Sequence, residues 1–288
     1  MNLDYETFAT IMNRHIFQSE RRDLLQTLIA YPQRFVGLFR PTRPESKLFQ
    51  HIFQAREIKF GDAMEEIIGL MLEGAGFIPQ GKHIATGLEC DHYFLFPDRE
   101  HALLIEQKVR DDHDSTKRQG QWKNFEEKVQ VLFSRHKDKL TAVLYFIDPS
   151  LHKNRNFYTS KIAGLKESLG LDRIYLLYGE ELFVKLGIAQ SWEQLVTWLK
   201  EWKNAIPVMP DVNWETQEAI DELKELAKNE PQLWLKFALC SPLWQEGIVD
   251  VLFPTRKGLL EIVKALQEQQ DKKAQEAAKS LLKRLGDL

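Results

Sequence analysis

Residues 91–108, DHYFLFPDREHALLIEQK, constrain the fold of this chain more tightly than any other stretch. Asp91 opens an extended aromatic segment, His92-Tyr93-Phe94-Leu95-Phe96. Pro97-Asp98-Arg99-Glu100 then supplies residues that favour turns. A second apolar run, Ala102 to Ile105, ends in Glu106-Gln107-Lys108. Two extended runs about a turn predict a β-hairpin. Strand side chains alternate, so Leu104, Glu106, Lys108 and Arg110 share one face, and Leu103, Ile105, Gln107 and Val109 the other. An acid and a lysine two residues apart at the end of a buried strand are costly unless they pair or bind something. Asp91, on the neighbouring strand, is placed to sit beside them. The plainer alternative is an ordinary hairpin with a surface Glu106–Lys108 ion pair.

This pattern resembles the PD-(D/E)XK nuclease superfamily, which includes most type II restriction endonucleases. Asp91 matches the acid of the first strand, and Glu106-Gln107-Lys108 the E-x-K of the second. The resemblance covers roughly residues 59–180. Two positions depart from the pattern: Cys90 stands where the motif's Pro would be, and Gln107 where an aliphatic residue is usual. The helix before the hairpin in this superfamily often carries an acid that completes the metal site. Gly61-x-x-x-Glu65 looks like that arrangement, with Glu66 as the second choice; both also suit the positive end of a helix dipole. Downstream, Gln121-x-x-x-Phe125 is similar to the Gln-x-x-x-Tyr feature of some members.

The resemblance implies a mixed central sheet flanked by helices, an α/β core of the restriction-endonuclease kind, with helical N- and C-terminal additions. It implies a Mg²⁺-dependent endodeoxyribonuclease acting on double-stranded DNA. Catalysis would fall to Asp91, Glu106, Lys108 and Glu65, and metal binding to Asp91, Glu106, Glu65 and the Gln107 backbone carbonyl. Oxygen ligands without Cys or His favour Mg²⁺. A site-specific type II restriction enzyme, with a cognate DNA methyltransferase as functional companion, is the leading expectation. A repair or junction nuclease of the same fold, or a DNA-binding protein that kept the fold without catalysis, are the alternatives.

The 288 residues allow one large domain or two modest ones. Apolar residues make up 43% and charged residues 28%, the balance of a soluble globular chain. The N-terminal residues are too polar and acidic for a signal peptide. Cys90 and Cys240, far apart and without metal-ligand spacing, suit a reducing cytoplasm. The net charge of −3 means that a DNA-binding surface must concentrate positive charge locally. The segment 34–59 does so: Arg34, Arg40, Arg43, Lys47, Arg56 and Lys59 face only Glu45 and Glu57. Arg40, Arg43 and Lys47 are therefore candidate phosphate contacts, against the alternative of a plain solvated surface.

Three ranges follow: an N-terminal helical and basic arm over 1–58, a nuclease core over 59–206, and a C-terminal helical region over 207–288. Helical spacing runs through residues 4–31, with Ser46 as a possible cap for a helix from about 47. Residues 61–76 form an amphipathic helix closed by Gly74 and Gly76, with Met64, Ile67, Ile68 and Met71 as its core stripe. Ser115 or Thr116 can cap a helix to about Arg135, from which Lys117, Arg118 and Gln121 are candidate DNA contacts. Residues 140–147 and 173–179 read as buried strands. The intervening loop adds Lys153 and Arg155, and a helix is expected from about Lys161. Past Pro207 and Pro210 the chain reads as helical, ending in one long helix from about Thr255 to Leu285. Residues 211–288 hold more Asp and Glu than Lys and Arg, so this region suits a protein–protein surface. One D…ExK constellation without an internal repeat predicts one site per protomer and hence a homodimer for cutting both strands.

Overall fold

The computed structural model describes residues 3–286; residues 1–2 and 287–288 of the terminal ranges lie outside it. The chain begins with α1 (Tyr5–Ile16), α2 (Glu20–Ala30), α3 (Gln33–Val36) and α4 (Pro44–Gly74). Strands β1 (Ile78–Pro79), β2 (His83–Ala85), β3 (Leu88–Glu89), β4 (His92–Leu95) and β5 (Ala102–Lys108) come next. They lead into α5 (Ser115–His136), β6 (Leu140–Phe146), α6 (Arg155–Leu169), β7 (Ile174–Tyr178), α7 (Glu180–Lys185) and α8 (Ala189–Ala205). The chain closes with α9 (Gln217–Asn229), α10 (Pro231–Leu239), α11 (Ser241–Gln245), α12 (Ile248–Leu252), α13 (Lys257–Gln267) and α14 (Lys272–Gly286).

Two compact units result. One joins the residues up to His15 with Lys59–Ile206, and the other joins Ile16–Ile58 with the segment from Pro207 onward. Helix α4 gives its residues through Ile58 to the second unit and the rest to the first.

The first unit is built on a five-stranded sheet of order β1-β4-β5-β6-β7. The pairs β1–β4 and β4–β5 are antiparallel, whereas β5–β6 and β6–β7 are parallel. This is the mixed, helix-flanked sheet expected from the sequence. β6 is buried along its whole length, as its near-continuous apolar run requires of a strand covered on both faces. The hairpin closes where it was read. Asp98 accepts from the backbone N–H groups of Glu100 (2.8 Å) and His101 (3.1 Å), which lets Arg99 adopt a left-handed φ of 62°. Those donors, His101 first, hold the exposed Asp98 carboxyl down at about 2. On one side of the sheet Trp122, Phe125, Val129 and Leu132 of α5 pack with Tyr158, Ile162 and Leu165 of α6 against Leu104, Ala142, Leu144 and Phe146.

The second unit is all helical. Leu24, Leu25, Leu28, Phe35, Leu48 and Ile52 share a core with Trp214, Trp234, Phe237, Leu252, Leu266 and Leu281. The tryptophans and leucines of the C-terminal region are thus largely consumed by this unit's own interior.

Several boundaries differ from the expectations. The stretches read as two helices, from about 47 and over 61–76, form the single helix α4, which runs through Gly61 without a break. The continuous segment 4–31 is instead two helices, separated where Ser19 takes a φ of 78°. Helix α6 begins at Arg155 rather than Lys161, so the polar run read as loop is largely helical. The long closing helix is divided into α13 and α14, because Asp271 caps the second by accepting from Ala274 N at 2.9 Å. The cap of α5 is Asp114, not Ser115 or Thr116; its carboxylate accepts from Lys117 N at 2.9 Å.

Candidate active site

The hairpin register pairs His92 with Ile105, which leaves Asp91 just outside the ladder at the end of β5. There Asp91 Oδ2 accepts the Gln107 backbone N–H at 2.7 Å. The Lys108 ammonium donates to Asp91 Oδ2 (3.1 Å), Glu106 Oε1 (2.8 Å) and the Gln107 carbonyl (2.7 Å). Three oxygens from the residues singled out in the sequence therefore surround one cation. Burial works to lower the Lys108 pKa, but the Glu106 and Asp91 carboxylates outweigh it and the net displacement is upward. Lys108 is an ammonium ion here.

Glu106 is only 4% exposed, and its two oxygens have different partners. Oε1 faces Lys108, while Oε2 accepts from Lys128 Nζ at 2.6 Å. Lys128 comes from α5 and is 3% exposed. The sequence reading did not single it out. Its signal was the spacing Trp122, Phe125, Lys128, Leu132, a lysine on the buried stripe of an otherwise apolar helix face. A buried lysine needs a carboxylate partner, and Glu106 is that partner.

Gln107 explains its own departure from the aliphatic pattern. Its side chain points to the opposite face of β5, where Gln107 Oε1 lies 3.0 Å from His92 Nε2. An amide oxygen only accepts, so the His92 ring donates Nε2–H. Burial, ahead of every other cause, lowers the His92 pKa to about 4, so the ring is neutral. Helix α4 passes over it at Gly69, where an added Cβ would stand 3.7 Å from the ring. Cys90, at the other departure, is buried and its thiol is pushed up to about 12, chiefly by desolvation. It is an inert structural thiol.

The two candidate glutamates of α4 diverge. Glu65 pairs with Lys82, and Glu66 with Arg14 (2.5 Å) and His15 (2.6 Å) of α1. Desolvation raises the Glu65 pKa, with a further upward contribution from the nearby Asp91 charge. Glu65, Glu66, Lys82 and Asp91 line one open cavity of about 610 Å³. Among the described residues no group of three or more His, Cys, Asp and Glu gathers as a metal site. Asp91 and Glu106 therefore stand as a pair of carboxylates, with the Gln107 carbonyl as the third oxygen. That donor set, all hard oxygen around one cationic position, fits Mg²⁺ in chemistry.

The candidate DNA contacts fall into two groups. Arg40 and Arg43 are exposed in the second unit, and Lys47 there donates to Gln50 at 2.6 Å. In the first unit Lys117 is exposed, but Arg118 and Gln121 are engaged in the fold. Arg118 donates to Asn154 (3.1 Å) with its guanidinium carbon 4.6 Å from the Phe157 ring centroid, and Gln121 accepts from the Tyr158 hydroxyl (2.8 Å). Lys153 donates to the Asp112 carbonyl (3.2 Å), and Arg155 lies over the Tyr178 ring. Behind them is a network the sequence did not disclose. Asp111, fully buried, accepts from Asn154 N (3.1 Å), Asn154 Nδ2 (2.9 Å) and the Tyr178 hydroxyl (2.8 Å). It fastens the segment after β5 to the start of α6 and the end of β7.

A carboxylate pair with a lysine at the end of central strand β5, on a mixed five-stranded sheet flanked by helices, defines a restriction-endonuclease-like core. Residues 77–203, from β1 into α8, match the model of a family described as type II restriction endonuclease, HinfI. This segment is similar to type II restriction endonucleases of the PD-(D/E)XK type, as its motif suggested. No curated protein matches the chain.

Proposed function

We propose that the chain is a type II restriction enzyme that hydrolyses phosphodiester bonds of double-stranded DNA at a specific site, with Mg²⁺. The observation that carries this reading is the convergence of Asp91, Glu106 and the Gln107 carbonyl on Lys108, within a segment matching a restriction endonuclease family. In the reaction a water oxygen bonds to phosphorus as the P–O3′ bond breaks, leaving a 5′-phosphate and a 3′-hydroxyl. A divalent cation supplies charge stabilisation and a more acidic bound water. Asp91, Glu106 and the Gln107 carbonyl would hold it, with Glu65 lining the same cavity as Asp91. Lys108, as an ammonium, orients the attacking water and offsets charge developing on the phosphate. The Asp91–Gln107 N–H hydrogen bond keeps the first carboxylate in register with the second strand, and Lys128 fixes which oxygen of Glu106 faces the site.

A homodimer is the simplest assembly for this reading, because one protomer offers one D…ExK constellation and a duplex has two strands; the alternative is a monomer that nicks each strand in turn. The dimer stands on that count, since the aromatic residues of the C-terminal helices are interior. Light scattering on cognate duplex in Ca²⁺ checks it: two protomers per duplex are expected, and one would refute it. A cytoplasmic cell-mate that methylates the same sequence is the companion such an activity demands, since host DNA must be protected. Incubation with long phage DNA and Mg²⁺ tests the function itself. Discrete fragments are the expected result. A smear, or preference for branched substrates, would favour a repair or junction nuclease, and no cleavage a DNA-binding protein.

A further inference from the structure

In the second unit, two large apolar side chains stand at a position where a turn ordinarily carries Gly, Pro, Asn, Asp or Ser. Leu38 is 88% exposed and Phe39 is 96% exposed. They are the two corner residues of a turn closed by Arg40 N donating to the Gly37 carbonyl at 3.2 Å. The turn has a firm base. Helix α3 precedes it and buries Phe35, whose ring meets His51 of α4 edge-on at 5.4 Å. Gly37 N closes α3 by donating to the Gln33 carbonyl at 3.2 Å, and an added Cβ at Gly37 would stand only 2.5 Å from that same oxygen. Glycine at this position keeps the turn tight against the helix end. On the far side Lys47 N donates to the Arg43 carbonyl at the start of α4.

Basic residues flank this apolar tip along the chain. Arg34, Arg40, Arg43 and Lys47 lie within the 34–47 stretch, against Glu45 alone. An apolar pair flanked by cations is chemically matched to nucleic acid: the cations meet phosphates, and the side chains enter between unstacked bases. A protein partner would need an acidic rim around an apolar pocket to match it, whereas any duplex sets phosphates beside stacked bases. We infer that Leu38 and Phe39 form a wedge that inserts into a base step of bound duplex DNA while Arg40 and Arg43 hold the flanking phosphates. The inference rests on the proposed DNA-cutting function and adds to it a place where the duplex is opened.

The test uses the full chain in Ca²⁺ and duplexes carrying 2-aminopurine at successive positions through the site defined by fragment ends. This base brightens when it loses its stacked neighbours. The wild-type protein is expected to brighten it at one or two adjacent positions, and L38S/F39S to abolish that signal. The double variant should bind roughly tenfold more weakly, as loss of base–aromatic stacking implies. Its salt dependence should be unchanged, because no charge is removed. Both side chains are almost fully exposed, so the variant should fold, and its circular dichroism and melting temperature serve as the check. Discrete cleavage with no brightening at any position, or equal brightening by L38S/F39S, would overturn the wedge and leave the nuclease reading intact. Loss of self-association in L38S/F39S, with its DNA signal intact, would make the tip a protein contact and also overturn it. Absence of both cleavage and duplex binding by the wild-type chain would overturn the wedge together with the reading beneath it.

Discussion

The two units bury their interiors in opposite styles. In the sheet-based unit His92, Glu106, Gln107, Asp111, Lys128, Thr141 and Asn154 are buried polar or charged residues. The helical unit, among the described residues, has none; its core is leucine, tryptophan, phenylalanine, isoleucine, valine and alanine. A unit whose task is to fold has no reason to bury a charge, since an apolar replacement of the same volume is often as stable. Buried ions are retained where a carboxylate must be held at a fixed place with a fixed neighbour. The contrast therefore points to Glu106, which the strand pattern also singled out, on separate grounds, and adds Lys128 and Asp111.

The largest effect expected from this contrast is on Lys128. K128M leaves Glu106 buried without the partner of its Oε2, which costs about 3–5 kcal/mol. Hydrogen exchange at the β5 and β6 amides should accelerate accordingly. E106L/K128M should recover much of that loss and remain inactive. Recovery of cleavage by the double variant would show that the buried pair is structural alone.

L252A removes a fully buried side chain of the helical unit and should cost about 2–5 kcal/mol there, read from the amides of α12 and α13. The cleavage rate of the folded fraction should not change. A reduced rate would mean that this unit's packing shapes the site, and the comparison would fail.

Neutralising Arg40, Arg43 and Lys47 together tests whether the helical unit contributes charge to binding. The slope of log binding constant against log salt should flatten by as much as about 3, roughly one unit per lost phosphate contact. An unchanged slope would return the segment to ordinary solvated surface.

The smallest effect concerns a carboxylate that the helical unit uses at its edge rather than in its core. Glu215 accepts the backbone N–H groups of Thr255 (2.7 Å) and Gly258 (3.0 Å) at the start of α13. Partial burial opposes its ionisation, but these donors prevail and its pKa is lowered. A carboxyl whose folded value lies below its unfolded value stabilises the fold above the ordinary carboxylate range, and loses that contribution as pH falls through it. E215A should therefore cost about 1 kcal/mol near neutral pH, and the difference from wild type should shrink on acidification. A constant difference down through the carboxylate range would show that packing, not the cap, was lost.

How much of this was legible in the sequence follows from distance along the chain. The hairpin was readable because alternation and turn chemistry are local, and Glu106 with Lys108 stood out because two charges ended a buried strand. Asp111 carries no local signal, since its burial depends on Asn154 and Tyr178, 43 and 67 residues away. Lys128 is hidden in the sequence because a lysine on a helix ordinarily faces solvent, and its partner Glu106 lies 22 residues earlier. Helix α6 was begun too late because the polar residues before Lys161 resemble a loop, although Tyr158 already turns inward. The joining of Ile16–Ile58 with the segment from Pro207 onward in one core is a tertiary fact that no local pattern carries.

The central claim is that the cation and carboxylates at the end of β5 perform the chemistry while affinity resides elsewhere. Single-turnover cleavage and duplex binding by wild type and K108A, side by side in Mg²⁺ and in Ca²⁺, test it most directly. The account predicts a cleavage rate lower by roughly 10²–10⁴-fold, with duplex affinity and its salt slope nearly unchanged. Cleavage by K108A at the wild-type rate would contradict it.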